Sequence, residues 1–382
     1  MQKVNIVECQ RCLYDETIPM IEFDESGVCN YCRNHERLER QFPTGKEGEA
    51  IIGPILEQIK QEGKGKKYDC VIGVSGGCDS SYLVYQMVER GLRPLAVHYD
   101  NTWNSPIATQ NIHNVLSHLK VDLDTYVVNN REMDDLYRAF MLSGVKELEA
   151  PTDIALLTTL YRAAAKHGVH YIIDGQSFRT EGATPPGWMY MDGGYIQDIH
   201  RRFGRRQMKT FPNLTLARFI RYTAFHSIKR IQPLFYIHYQ KEEAKKFLSE
   251  NLGWKWYGGH HLENRMTTFF HTYWLPVRFG LDFRLVNNSA MVRSGQMTRD
   301  EAKEVVRRPP DCDPELIDMV KKRLDLSDTE FDAVISSPHR SHLDYKTYRP
   351  AFAKLKLLFW LLYKQKKVPE SFYRKFCEGK IQ

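Results

Sequence analysis

Asp69-Cys-Val-Ile-Gly-Val74 runs directly into Ser75-Gly76-Gly77-Cys78-Asp79-Ser80-Ser81, and residues 82–90 follow as an amphipathic stretch. The first segment is a short apolar run, the pattern of a strand buried on both faces of a parallel sheet. The last segment has helical spacing. The serine- and glycine-rich turn between them makes an anion cradle. Backbone N–H groups face outward there, the following helix presents its positive end, and glycine lets the chain approach phosphate oxygens closely. Ser75, Ser80 and Ser81 add hydroxyl donors. The turn is neither G-x-x-x-x-G-K-[ST] nor G-x-G-x-x-G.

Downstream, residues 93–100, 124–129, 169–175 and 230–235 read as further strands. Helices are expected over 50–61, 107–119, 131–142 and 153–167. This alternation predicts an α/β protein with a doubly wound parallel sheet. Ligands on such sheets bind beyond the carboxyl ends of the strands. The loops emerging at that edge are 75–81, Asp100-Asn101-Thr-Trp103-Asn104, and Gly175-Gln-Ser-Phe-Arg179-Thr-Glu181-Gly182, all polar or glycine-rich.

Upstream, Cys9-x2-Cys12 and Cys29-x2-Cys32 have the spacing of a structural zinc site, with residues 21–28 as a short hairpin turning before Gly27. Four thiolates leave no open coordination position, so the expected role of this zinc ribbon is structural. The domain reading is a zinc ribbon over 1–45, a nucleotide-binding α/β domain over 46–258 with a basic insertion near 180–230, and a mainly helical region over 259–382. The 382 residues are 42% hydrophobic and 26% charged, which excludes wholesale disorder. No apolar run reaches the ~18–20 residues that cross a bilayer. The N-terminus shows no signal-peptide core, so a cytoplasmic location is expected.

Charge is concentrated in two places. Residues 199–231 carry nine Lys/Arg and no acid, and residues 340–382 carry eleven Lys/Arg against three acids. Arg201, Arg202, Arg205 and Arg206 could grip a nucleotide-sugar diphosphate, or form a solvated loop or a docking face for an acidic partner. Residues 352–362 form an apolar helix flanked by lysines, suited to packing on the domain, to a homo-oligomer contact, or to peripheral contact with an anionic membrane. His260, His261 and Glu263 form a polar cluster that is not read as a second metal site.

The string Ser-Gly-Gly-x-Asp-Ser resembles the PP-loop signature of ATP pyrophosphatases. That resemblance implies that Ser75, Gly76, Gly77, Asp79 and Ser80 hold pyrophosphate, with Asp79 near Mg²⁺. Further strings resemble the N-acetyl sugar amidotransferase family of WbpG- and PseA-like proteins. They are Cys-x-Arg-Cys, Ile21-Glu-Phe-Asp-Glu-Ser-Gly-Val-Cys-Asn-Tyr-Cys32, Asp100-Asn-Thr-Trp-Asn104, residues 257–267, residues 275–284 and residues 294–302. The resemblance spans roughly residues 8–305, although the 175–181 loop departs from the Gly-Glu-Asn-type string expected of the family. It implies ATP as co-substrate with Mg²⁺ and structural Zn²⁺. The catalytic set it implies is Ser75, Asp79, Ser80 and Asp100. Val74, Ser81, His98, Tyr99 and Gly175 join the loop in binding ATP. Asn101, Trp103, Arg179, Glu181 and Arg265 are the implied substrate contacts.

The implied reaction converts an acetamido group, on a UDP-sugar in surface-glycan synthesis, to an acetamidino group. An amide is a poor electrophile. Attack of its oxygen on the α-phosphorus of ATP gives an O-adenylyl imidate and pyrophosphate; ammonia then adds and AMP leaves. None of the eight cysteines sits in a Gly-x-Cys-x-Gly elbow, and residue 2 is Gln. Ammonia is therefore expected from a partner glutaminase, resembling that of the glutaminase and synthase pair of histidine biosynthesis. The rival readings are a tRNA-modifying PP-loop enzyme and a non-catalytic nucleotide-binding scaffold. The basic patches lack the aromatic interleaving that stacks single-stranded bases, so no nucleic acid partner is expected.

Overall fold

The computed structural model describes residues 6–259 and 262–378, so His260 and His261 lie outside the described residues. Helices α1 (Asn30–Gln41) and α2 (Gly45–Glu62) lead to β1 (Cys70–Gly73). Then come α3 (Cys78–Glu89), β2 (Pro94–Asp100), α4 (Pro106–Leu119), β3 (Leu123–Val127), α5 (Asn130–Leu142), α6 (Ala150–Lys166) and β4 (Tyr171–Ile173). Helices α7 (Gly193–Phe203) and α8 (Leu216–Ile220) precede β5 (Lys229–Ile231), and α9 (Lys241–Leu252) follows it. All strand pairs are parallel, in the order β3-β2-β1-β4-β5. The expected strand over 230–235 ends at Ile231. Pro233 has no N–H for a ladder and opens a 3-10 turn over Pro233–Phe235 instead.

Side-chain alternation along the strands builds two cores. Val71, Leu95, Val97 and Ile172 pack with α5, α6 and α7. Cys70, Ile72, Ala96, Tyr171 and Ile173 pack with α2, α3, α4 and α9. Helices therefore cover both faces, as the continuous apolar strands require.

The C-terminal region is helical. Helix α10 (Arg265–Phe269) continues in π-helical turns over Phe270–Phe279. It is followed by α11 (Arg284–Arg293), α12 (Arg299–Arg307), α13 (Pro314–Arg323), α14 (Asp328–Ser336), α15 (Arg349–Lys354) and α16 (Lys356–Lys364). Trp274, Phe331 and Phe359 extend the first core into this region. The expected helix over 352–362 breaks at Leu355 into α15 and α16. Phe352, Phe359 and Leu362 are buried, while Leu357, Trp360 and Leu361 are exposed. Among the described residues no helix is long and apolar enough to cross a membrane.

Candidate active site

The order of the strands reverses between β1 and β4, and the loops leaving these two strands open a crevice at their carboxyl ends. Gly76 stands at φ +83°, and a Cβ there would lie 2.3 Å from the Ala108 carbonyl oxygen, so only glycine fits this turn. The Gly76 carbonyl in turn accepts from Trp254 Nε1 at 2.9 Å and from Asn111 Nδ2 at 3.2 Å. Gly77 caps α3 without a side-chain acceptor, which leaves the first-turn N–H groups to an anion. Gly77 N–H donates to Ser75 Oγ at 3.2 Å, and Ser75 N–H to Ser80 Oγ at 3.4 Å. The loop is thus pinned in shape before any ligand arrives.

A cavity of about 560 Å³ opens from this loop, within the usual range for a small-molecule site. Val74, Ser75, Gly77, Asp79, Ser80, His98, Tyr99, Asn101, Gly175 and Glu181 line it. His98 is held from both sides, by the Val74 carbonyl at 2.8 Å and by Asn104 at 2.9 Å; burial lowers its pKa. Gly76 and Ser81 serve the loop from behind, and Ser81 is buried with its N–H on the Gly77 carbonyl at 3.2 Å.

The remaining residues singled out from the sequence are engaged elsewhere. Asp100 turns back on its own loop, accepting from Thr102 N–H at 2.7 Å and Asn104 Nδ2 at 3.2 Å. Trp103 is buried, donates to Asp134 at 2.9 Å, and stacks under the Arg323 guanidinium at 3.8 Å. Arg179 donates to the carbonyls of Phe235 and Phe42 at 2.8 and 2.7 Å and so braces α1 against the sheet edge. Arg265 is exposed, with its N–H on the Trp103 carbonyl at 2.8 Å. None of the four lines the cavity. Nor does the basic block: Arg201 and Arg202 pair with Asp198, and Arg205 with Asp325.

Of the further groups at the loop, Glu181 and Glu263 are among those the sequence singles out, and Lys241 carries no signature there. Lys241, buried at the start of α9, places Nζ 3.2 Å from Asp79 Oδ2, and Tyr239 donates to Oδ1 of the same carboxylate. Burial alone would lower the Lys241 pKa, but the charges of Asp79 and Glu181 outweigh it and raise the pKa. Glu263 accepts from Ser75 Oγ at 3.0 Å and leaves Oε2 buried without a partner. Burial, with Asp79 and Glu263 nearby, pushes Glu181 well above the carboxylate range. In sequence Lys241 begins an ordinary surface-like Lys-Glu-Glu-Ala-Lys-Lys run; only the fold turns it inward.

Mg²⁺ suits this corner. Asp79, Glu181 and Glu263 gather beside the anion loop, and the unpartnered Glu263 oxygen is the kind of hard donor Mg²⁺ takes. Bound there with a nucleotide, it would neutralise phosphate charge.

The four N-terminal cysteines are buried together. Their sulfurs lie 3.6–3.8 Å apart in the closest pairs, and all four lie within 4.8 Å of one another. A tetrahedron of Zn–S bonds of about 2.3 Å requires S–S separations of about 3.8 Å, so the cluster fits zinc. The Arg11 and Cys29 N–H groups donate to Cys9 Sγ at 3.4 and 3.3 Å. Phe23 and Cys29 form the one bridge of the small hairpin, whose turn ends with Gly27 at φ +75°. From the far end of the chain, Arg293 donates to Cys12 Sγ at 3.1 Å and to Cys32 Sγ at 3.5 Å. Arg293 ends α11, and Val286 and Asn287 of the same helix line the cavity. The cysteine cluster and one cavity wall are thus joined by a single helix.

That wall is the part of the chain with a family match. Residues 263–359 match the family model described as LPS biosynthesis protein WbpG-like, C-terminal domain. The WbpG-like segment supplies Glu263, Asn264, Thr267, Phe270 and Asn287 to the cavity. No curated protein matches the chain. Three solved structures are similar over most of their own length. The NMN synthetase from Francisella tularensis is 12% identical, covering 79% of this chain and 96% of that one, at a TM-score of 0.30. The NH3-dependent NAD synthetase from Campylobacter jejuni, in complex with the nitrate ion, is 14% identical over 77% and 98%, at 0.32. The NAD+ synthetase from Burkholderia pseudomallei is 16% identical over 78% and 95%, at 0.29. Likenesses at these TM-scores say nothing of this chain's activity; its fold stands on its own sheet order.

Proposed function

We propose that this chain is an ATP-dependent amidating enzyme that adenylylates an amide oxygen and admits ammonia to the activated carbon. One observation carries the reading: the phosphate loop after β1 and the WbpG-like wall enclose a single cavity. ATP phosphates take the loop N–H groups and the Ser75 and Ser80 hydroxyls. Asp79, Glu181 and Glu263 would hold Mg²⁺, which would neutralise phosphate charge, and Lys241 stands ready for the developing pyrophosphate charge. The substrate we propose is an acetamido sugar carried on UDP, made into an acetamidino sugar for a surface glycan such as O-antigen. Its sugar ring would occupy the far end of the cavity, where Met189, Met191, Phe270 and Phe283 give apolar surface and Asn287 a polar contact. Ammonia would come from a separate glutaminase in the cytoplasm.

The deciding experiment is pyrophosphate release from ATP by the purified chain, with ammonium chloride at raised pH. A panel of acetamido UDP-sugars, free acetamido sugars and bulk tRNA supplies the acceptor. Sugar-dependent release, with a product lighter by the difference between O and NH, supports the proposal and names the substrate. Release that depends on tRNA alone overturns it in favour of an RNA-modifying enzyme. ATP binding without release for any acceptor leaves a nucleotide-binding scaffold.

A further inference from the structure

Adenylylation at the phosphate loop leaves three cavity carboxylates unused, of which Asp174 pairs with Arg230 and Glu149 and Asp153 have no basic partner among the described residues. Glu149 immediately precedes α6 and Asp153 lies one turn along it; both line the cavity next to Thr152 and Thr267. Glu149 is only 6% exposed. Thr267 Oγ1 donates to its Oε2 at 2.9 Å, while Oε1 is buried with no partner. Asp153 is exposed at the cavity wall and has no hydrogen-bond or ion-pair partner for its carboxylate among the described residues. Nor does any lysine or arginine pair with Glu149. The groups facing the pair are the phenols of Tyr137 and Tyr99 and the hydroxyl of Thr152. Tyr137 is itself fixed, accepting from Asn101 Nδ2 at 3.0 Å and sharing a hydrogen bond of 2.6 Å with Thr152. Burial raises the Glu149 carboxyl to about 8, with the Asp153 charge adding to the shift.

The Glu149 Oε1 is a buried acceptor with no donor, which is costly, and the charge of Asp153, exposed one turn along at the cavity wall, repels it. A small cation with N–H donors removes both penalties. The corner is distinct from the one suited to Mg²⁺, since it holds neither the phosphate loop nor Lys241. We propose that Glu149 and Asp153 form an ammonium subsite and remove the protons that ammonium must lose before it becomes the amidine nitrogen. The assignment rests on the amidation reading given above. Ammonium gives one proton to the first carboxylate, and the lone pair so freed forms the C–N bond at the imidate carbon. The adduct nitrogen gives a second proton to the other carboxylate. The C–O bond then breaks, its electron pair leaves with AMP, and two hydrogens remain on the amidine nitrogen.

The test uses the full chain with Glu149→Gln and Asp153→Asn, each close in shape to the original, and two independent readouts. Thallous ion, similar in size to ammonium, is soaked into crystals. An anomalous peak between residues 149 and 153, displaced by ammonium chloride and absent in E149Q, is expected. In turnover, each variant is expected to lose about 10²-fold in kcat/KM for ammonium. The KM for ATP should be unchanged, and activity with hydroxylamine, which arrives neutral, retained. Wild-type ammonium kinetics in both variants, or a thallous peak only elsewhere, overturns the subsite. A peak at the pair in a chain that releases no pyrophosphate with any sugar keeps the cation site and overturns the amidation reading instead.

Discussion

Arg293 donates to Cys12 Sγ at 3.1 Å across 281 residues of sequence, so the first and last thirds of the chain meet at one sulfur. A zinc ion with four thiolates carries net negative charge, and a buried guanidinium is the natural partner for it. The same guanidinium lies 4.4 Å from the Tyr14 ring centroid. Arg293→Met keeps the length and removes the charge and both sulfur contacts. We expect zinc affinity to fall by about 10–100-fold, as for other groups that hydrogen-bond metal ligands. Chelator competition followed by a zinc dye measures it. Wild-type zinc retention in the variant would reduce Arg293 to a packing role.

The same helix predicts what metal removal does. With zinc stripped, or with Cys29→Ser, the hold of the cluster on the end of α11 is lost, and Val286 and Asn287 lose their support. Hydrogen exchange is expected to rise across Arg284–Arg293 and in the 180–191 segment packed on it, where Gly182 abuts Val286 and Ala290. The α2–α4 face, whose core is separate, should stay protected. Equal deprotection of both faces would mean that the cluster stabilises the whole fold and not this wall.

Much of this architecture is legible in the sequence, and the physical reason is locality. The β1 run, the Gly76-Gly77 turn and α3 are consecutive, so apolar patterning and glycine placement announce them. The paired cysteines do the same for the cluster. Lys241, Glu149 and Arg293 are illegible because each acts across a long loop closure; a charged residue on an amphipathic helix looks solvated until the fold buries it. Arg179 and Trp103 mislead for the complementary reason. They follow strands that end at the ligand edge, yet Arg179 satisfies two carbonyls and Trp103 is clamped between Asp134 and Arg323.

Asp79 and Lys241 supply the third prediction. Their side chains are 14% and 8% exposed, which places the pair in a weakly screened setting. Lys241→Met leaves Asp79 with its Tyr239 hydrogen bond but without this cation. Breaking a buried pair from one side costs about 3–5 kcal/mol, a visible drop in the urea midpoint. Pyrophosphate release should fall as well, with the loss mainly in kcat because the cation acts on the departing phosphate. Lys241→Arg, which keeps the charge, should recover most of the stability. A Met variant as stable as wild type would show that Asp79 is satisfied by other contacts.

The buried carboxyls predict how stability depends on pH. Burial holds Glu147 at about 7 and Glu149 at about 8, against an ordinary value of 4.5 for each. In the unfolded chain these groups ionise near pH 4.5; in the folded chain they keep their protons to pH 7–8. Across that window the native state binds more protons than the unfolded state, so unfolding free energy falls as pH rises. Their contribution is fully present below about pH 4 and is lost by about pH 8. Melting temperature measured from pH 5 to pH 8 should therefore decline more steeply in wild type than in Glu149→Gln, whose amide does not titrate. Ammonium chloride should flatten the wild-type slope and leave the variant unmoved, because a cation in the cavity favours the ionised carboxylate in the folded state. Parallel curves for the two proteins would mean that Glu149 ionises freely in the fold.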